Sequence, residues 1–238
     1  VNYAAGDGDK TPGHAAPDRS RHWAGNRHRV TLTSCISRLV GSTMTTNDQY
    51  AVVAIASSAG GITALFKVLG DLPAALPVPV LIVQHLDPRH KTVLAELLSR
   101  RTELQVKLAE SGDVVQPGVV YIAPPNYHLL VEPRGILALS GSELVHFVRP
   151  SADLLFESVA GAYGSRAIAC VLSGTGRDGA SGVSAVKSRG GTVVVQDPDN
   201  AEFNGMPHAA VATGSADLVV PLDEIADVIR GLVIESAL

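Results

Sequence analysis

Cysteine is nearly absent from this chain of 238 residues. Only Cys35 and Cys170 occur, too few for a disulfide framework, and nothing resembles Cys/His zinc spacing. Aromatic residues make up 4%, so the core has to come from Val, Leu, Ile and Ala. No apolar run approaches the ~18–20 residues that span a bilayer. An excess of positive charge is also missing: the formal net charge is −4, which gives no electrostatic case for nucleic acid. Collagen, a secreted disulfide scaffold, a zinc finger and a membrane span are excluded. What is there is 46% hydrophobic and 18% charged, the balance of a globular chain rather than a disordered one. Aliphatic cores of this kind suit parallel strands covered on both faces by helices. The composition implies a cytoplasmic α/β protein.

The first 43 residues differ from the rest. They are rich in Gly, Pro, Asp, Arg and His, without periodicity until a short patch near Thr31–Val40. Six basic side chains, Lys10 and five arginines, face Asp7, Asp9 and Asp18, a balance of +3; the remainder, with 13 basic and 20 acidic residues, stands at −7. A weakly basic arm before an acidic domain reads as a disordered tail over residues 1–48, with the domain proper over 49–238. The three aspartates speak against a transit peptide, and no apolar segment near the N-terminus suggests a secretory signal. Met44, directly before the first strand, reads as an alternative start.

From Tyr50 the pattern is regular. Tyr50–Ala56, Val78–Val83, Ala167–Leu172 and Thr192–Val195 are continuous apolar runs, the signature of strands buried on both faces. Helical spacing follows through Leu65, Val68 and Leu69, through Val93 to Leu98, over Asp153–Tyr163 with Ser151 as N-cap, through Val183 and Val186, and over Leu222–Val233. Four short strands, Leu104–Ala109, Val119–Ile122, His128–Val131 and Ile136–Leu139, interrupt the alternation as an antiparallel insertion or sheet edge. The expected fold is α/β: a doubly wound, mostly parallel sheet with helices on both faces and a short antiparallel insertion.

In such sheets functional residues gather beyond the carboxyl ends of the strands. Ser58 follows the first run, His85 ends the second, and Asp178 lies in the glycine-rich loop after Ala167–Leu172. These are the three residue types of a nucleophile, its base and the group that orients the base. A serine hydroxyl is a poor nucleophile until an imidazole takes its proton, and an unperturbed imidazole titrates at ~6.5. Asp178 would accept from the other ring nitrogen. The backbone N–H groups of Ala59, at a helix start, and Thr175, between glycines, are candidate oxyanion donors. Spacing alone leaves bland readings open: Ser58 as a helix cap, His85 as a structural histidine, Asp178 as a turn residue. The loop Ala56-Ser57-Ser58-Ala59-Gly60 is not the Gly-x-Ser-x-Gly elbow.

Several ordered motifs resemble the catalytic domain of the chemotaxis protein-glutamate methylesterases (CheB-type), from about Tyr50 to Val233. Val53-Ala54-Ile55-Ala56-Ser57-Ser58-Ala59-Gly60-Gly61 looks like that family's nucleophile segment, and Val83-Gln84-His85-Leu86 like its QHM segment. Gly112-Asp113, Pro117-Gly118 and Val120 to Pro125, followed by His128, are similar to its GD…PG…YIAPG stretch. Arg149 to Ser158, Leu172 to Ala180 and Gly205-Met206-Pro207 match further segments. The resemblance implies Ser58 as nucleophile, His85 as base, Asp178 as orienter, and Ala59 and Thr175 as oxyanion donors through backbone. It implies hydrolysis of glutamate γ-methyl esters on chemoreceptors without cofactor or metal, and deamidation of certain receptor glutamines. Ala59 stands where the family usually has threonine, and Thr175 where it has methionine. Only 49 residues precede the first strand, too few for the family's usual receiver domain. The expectation is therefore a domain not regulated by its own phosphorylation, one controlled by a separate response regulator, or one used outside chemotaxis.

The remaining candidates carry less. His90, His128, His146 and His208 have no metal-ligand spacing, although His128 is a candidate to line the cleft. Arg149 and Asp153 read as a structural pair, Met206-Pro207 as a helix-start turn, and Cys170 as an inert core thiol. Rival functions are an esterase or amidase on another substrate, a silent interaction domain, and a nucleotide-binding module using Gly174-x-Gly176-x-x-Gly179. The acidic residues ~20 positions after that last motif, Asp197 and Asp199, sit in a turn rather than at a strand end.

Overall fold

The computed structural model describes residues 49–86 and 92–235. The expected tail, Cys35, Met44 and His90 lie outside them.

Each continuous apolar run becomes a strand of one parallel sheet. Its strands are β1 (Val52–Ser57), β2 (Val80–Gln84), β3 (Gln105–Leu108), β4 (Val119–Ile122), β7 (Ala167–Val171), β8 (Thr192–Gln196) and β9 (Leu218–Val220). Their spatial order is β3-β4-β2-β1-β7-β8-β9, and every pairing is parallel. β5 (His128–Glu132) and β6 (Ile136–Ser140) form a separate antiparallel hairpin. The four short strands of the middle therefore divide: two are the sheet edge and two are the insertion.

Alternation along the buried strands builds a core on each face. Val53, Ile55, Val80, Ile82, Ile168 and Cys170 point to one side, where α1 (Gly61–Gly70), α2 (Leu94–Ser99) and α6 (Leu222–Glu235) cover them. Val52, Ala54, Ala56, Leu81, Val83 and Ala169 point to the other. That side is covered by α3 (Ala152–Tyr163), α4 (Ala180–Ser188), α5 (Gly205–Ala212) and the hairpin. Cys170 is fully buried, and burial pushes its thiol up to about 12, so it is inert core as expected. The close approach of α3 and α4 depends on Gly182, where a Cβ would come within 2.6 Å of Phe156 Cβ and 3.0 Å of the Asp153 backbone.

Sequence patterning does not reveal β9, and of α5 it gives only the helix-start turn at Met206-Pro207, which the structure bears out. β9 is a half-buried edge strand of three residues, too short to show a period. α5 contains the Gly205-Met206-Pro207 start and one nearly featureless turn of small residues, held by the burial of Met206 and Ala210 against the sheet.

β1 is central. The chain first builds outward from it through β2 to the β4/β3 edge, then crosses back and builds β7, β8 and β9 on its other side. The reversal falls between β1 and β7, and in open α/β sheets the crevice at such a switch point is where ligands bind.

Candidate active site

Three chain segments emerge side by side at that crevice. The register sets Ser57 opposite Gln84 and Ala56 opposite Val171, so Ser58, His85 and Ser173 follow at nearly the same level. Buried polar side chains at the strand ends tie the segments together. Ser57 Oγ donates to Gln84 Oε1 at 2.7 Å, and the Gln84 amide donates to the carbonyls of Ser58 and His85 at 2.8 and 3.0 Å. Ser58 N–H donates to the Ser173 carbonyl at 3.0 Å, while Ser173 Oγ donates to the Ala59 carbonyl at 2.9 Å. The Ser173 N–H is taken by Gln196 Oε1 at 2.8 Å. An unpaired buried polar group costs ~1–3 kcal/mol, so these bonds hold the loops in one arrangement. Ser57, Gln84, Ser173 and Gln196 were not singled out from the sequence. The available signal was a polar residue ending each otherwise aliphatic strand.

Ser58, Ala59 and His85 line one open cleft of about 550 Å³, together with Ile62, Leu86 and Glu202. Asp178 is buried at 4% exposure, and its Oδ2 lies 2.8 Å from His85 Nε2. The structure thus joins His85 to Asp178 directly and sets Ser58 beside His85 in the cleft. Among the described residues no group hydrogen-bonds Ser58 Oγ.

Asp178 does more than meet His85. Ser151 Oγ donates to its Oδ1 at 2.8 Å, and the N–H groups of Ala152 and Asp153 donate to it at 2.6 and 3.2 Å. The expected side-chain cap from Ser151 is not made. Asp178 caps α3 instead, from a loop 25 residues or more away in sequence. Burial alone would raise its pKa. The His85 bond, the Ala152 N–H and the Ser151 hydroxyl outweigh burial and hold the carboxyl below its ordinary value. The group is therefore a carboxylate, and His85 Nε2–H is the donor. In a neutral imidazole with that bond, Nδ1 is the ring nitrogen left to accept a proton.

The N–H groups of Ala59 and Thr175 have no protein acceptor among the described residues, as an anion-binding position requires. Gly174 brings the two loops together: a Cβ there would meet the Met206 sulfur and lie 2.9 Å from Ser58 Cβ. Met206 can swing aside, but Ser58 cannot without leaving its position. Gly174→Ala is expected to lower turnover by ~10²-fold, since a displacement near 1 Å has that effect at a reacting centre. Steady-state kinetics of the folded variant checks this.

Other candidates settle elsewhere. His128 is fully buried and does not line the cleft; it contacts the backbone of Ser151 and Glu143. Arg149 and Asp153 do not pair. Arg149 holds Asn126 Oδ1 at 2.6 Å and the Gly141 carbonyl at 2.8 Å, bracing the loop before α3. Asp153 instead accepts from His146 at 3.1 Å and from Gly182 N–H at 2.8 Å. That second bond bears on the nucleotide reading, because a carboxylate occupies the start of α4 where a phosphate would have to sit. Among the described residues no three His, Cys, Asp or Glu side chains converge as metal ligands. No helix of the described residues is long and apolar enough to cross a membrane.

A doubly wound sheet with serine, histidine and a buried carboxylate at its switch point has the arrangement of an α/β serine hydrolase. The chain matches the CheB methylesterase family over residues 53–229. It is 40% identical over 180 residues to a protein-glutamate methylesterase/protein-glutamine glutaminase of Pyrococcus abyssi, covering 74% of this chain and 49% of that one. A relative of the same description in Paramagnetospirillum magneticum is 41% identical over 179 residues, covering 74% and 47%. The chain thus spans about half the length of these two, but 92% of a relative from Leptospira interrogans that is 40% identical over 178 residues. The crystal structure of the Thermotoga maritima CheB methylesterase catalytic domain superposes with a TM-score of 0.73 at 37% identity, covering 76% of this chain and 98% of that one. This chain belongs to the CheB methylesterase family; it is a carboxylic ester hydrolase.

Proposed function

We propose that the chain hydrolyses glutamate γ-methyl esters on the cytoplasmic helices of chemoreceptors, with Ser58 as nucleophile, His85 as base and Asp178 as the group that orients it. The observation that carries this reading is the His85–Asp178 pair, 2.8 Å apart, set beside Ser58 at the sheet's switch point. His85 Nδ1 takes the Ser58 proton as Oγ attacks the ester carbonyl. The oxyanion is received by the N–H groups of Ala59 and Thr175. Collapse expels methoxide, which leaves as methanol with the proton from His85. The acyl-enzyme on Ser58 then reacts with a water deprotonated by His85, which frees the glutamate carboxylate and restores the serine. Asp178 stays ionised throughout and stabilises the transient imidazolium. The same steps with ammonia as leaving group deamidate a receptor glutamine. Both reactions use only this chain's own groups and water.

Methanol release from a radiomethylated chemoreceptor fragment tests the reading. Release is expected from the wild type. No release from the folded protein, either alone or with a phosphorylated response regulator added, would exclude receptor methyl esters as the substrate, and generic ester hydrolysis would then distinguish another esterase from a silent domain.

A further inference from the structure

His128 opens β5 and is wholly buried, yet both of its ring nitrogens face backbone. Nδ1 lies 3.1 Å from Ser151 N, and Nε2 lies 3.0 Å from the Glu143 carbonyl oxygen. A backbone N–H only donates and a carbonyl only accepts, so the partners dictate the tautomer: Nε2 carries the proton, Nδ1 is bare and the ring is neutral. An apolar side chain could fill this volume without desolvating an imidazole. What the imidazole adds is two directional bonds held apart by a rigid ring.

Those bonds act on the segment that holds Asp178. Ser151 is buried and stands immediately before α3. Its hydroxyl and the next two N–H groups all converge on the Asp178 carboxylate. The position of Ser151 therefore sets the position of the carboxylate, which in turn holds His85 Nε2 at 2.8 Å.

We propose that His128 is a positioning residue of this site: its neutral ring, anchored on Glu143, fixes Ser151 so that three consecutive donors aim Asp178 at His85. This rests on reading Ser58, His85 and Asp178 as the hydrolytic site. His128 touches neither substrate nor reacting atoms, so its contribution falls on turnover rather than on substrate binding.

The test compares the wild type with His128→Asn and His128→Gln in the full chain. The asparagine carbonyl oxygen can stand near Nδ1 and still accept from Ser151. The glutamine amide reaches towards Nε2 and can donate to Glu143, but presents nothing to Ser151. His128→Asn is expected to keep kcat within about threefold, and His128→Gln to lower it ~10–100-fold with KM little changed. Equal kcat in the two variants, or a loss carried by KM, overturns the proposal. If His128→Gln does not fold, Ser151→Ala removes the Oγ bond alone and is expected to lower kcat about tenfold; an unchanged kcat there also overturns it. The low-field proton of the His85–Asp178 bond gives the same contrast by NMR without substrate. It should persist in His128→Asn and shift or broaden in His128→Gln; an unchanged signal in His128→Gln overturns the proposal. A wild type without ester turnover but with this NMR contrast would remove the hydrolytic reading and leave the positioning of Asp178 standing.

Discussion

Ser58→Ala is expected to abolish measurable turnover, with a loss of roughly 10⁴–10⁶-fold, while leaving stability within about 0.5 kcal/mol of the wild type. The two halves of that expectation have different physical sources. The activity falls because Ser58, set beside His85 in the cleft, is the hydroxyl proposed to form the acyl intermediate. The neighbouring Ser57 has its hydroxyl committed to Gln84 and is fully buried, so it cannot substitute. Stability is spared because Ser58 Oγ makes no hydrogen bond among the described residues, and the backbone bond from its N–H to Ser173 survives the substitution. Ester hydrolysis and urea unfolding, measured on the same preparation, check both halves. An unfolded variant would make Ser58 a structural residue, and an active one would place the nucleophile elsewhere.

Asp178→Ala should behave differently, losing activity and stability together. Without the carboxylate, His85 loses the partner that fixes its tautomer, an effect worth ~10⁴-fold in turnover where it has been isolated. The same change strips the buried start of α3 of its acceptor and leaves the Ser151 hydroxyl and the Ala152 and Asp153 N–H groups without one. At ~1–3 kcal/mol per unsatisfied buried donor, partly relieved by entering water, a loss of about 3 kcal/mol is expected. The effect also has a pH signature. Asp178 is held below its ordinary value, so the stability it contributes is fully present above the unfolded carboxyl pKa of ~3.9 and disappears as pH falls through the lower folded value. The stability gap between wild type and Asp178→Ala should therefore be widest near neutrality and narrow below pH ~4. Urea titrations at pH 7 and pH 3 measure it; a gap that widened in acid would show that Asp178 is not a stabilising carboxylate.

These two substitutions mark how far the primary structure could be read. Ser58, His85 and Asp178 could be placed on one rim because each follows an apolar run, and parallel strands carry their carboxyl ends to the same side. The second role of Asp178 could not be read that way. Its partners lie in α3, and whether a carboxylate at the β7 loop reaches the start of that helix depends on how α3 and α4 cross at Gly182. Local spacing pointed to Ser151 as the helix cap, and it was right about the position but wrong about the group, because a buried carboxylate is a stronger acceptor than a neighbouring hydroxyl. Arg149 and Asp153 failed as a pair for a related reason. Proximity in sequence made them partners on paper, whereas the fold offered each a nearer one.

Hydrophobic order along the chain, by itself, determined the α/β class, the central strands and the rim on which the polar residues emerge. Buried strands have to be aliphatic on both faces, and their ends have to be polar. Tertiary structure alone decided that the middle strands split between the sheet edge and a hairpin, and that Gln84 and Ser173 lace the three loops. It also decided that His128, Ser151 and Asp178 form one buried chain of hydrogen bonds. Each of these is a long-range pairing of groups whose only local mark is that they are polar, and which donor meets which acceptor is settled when the two cores close around them.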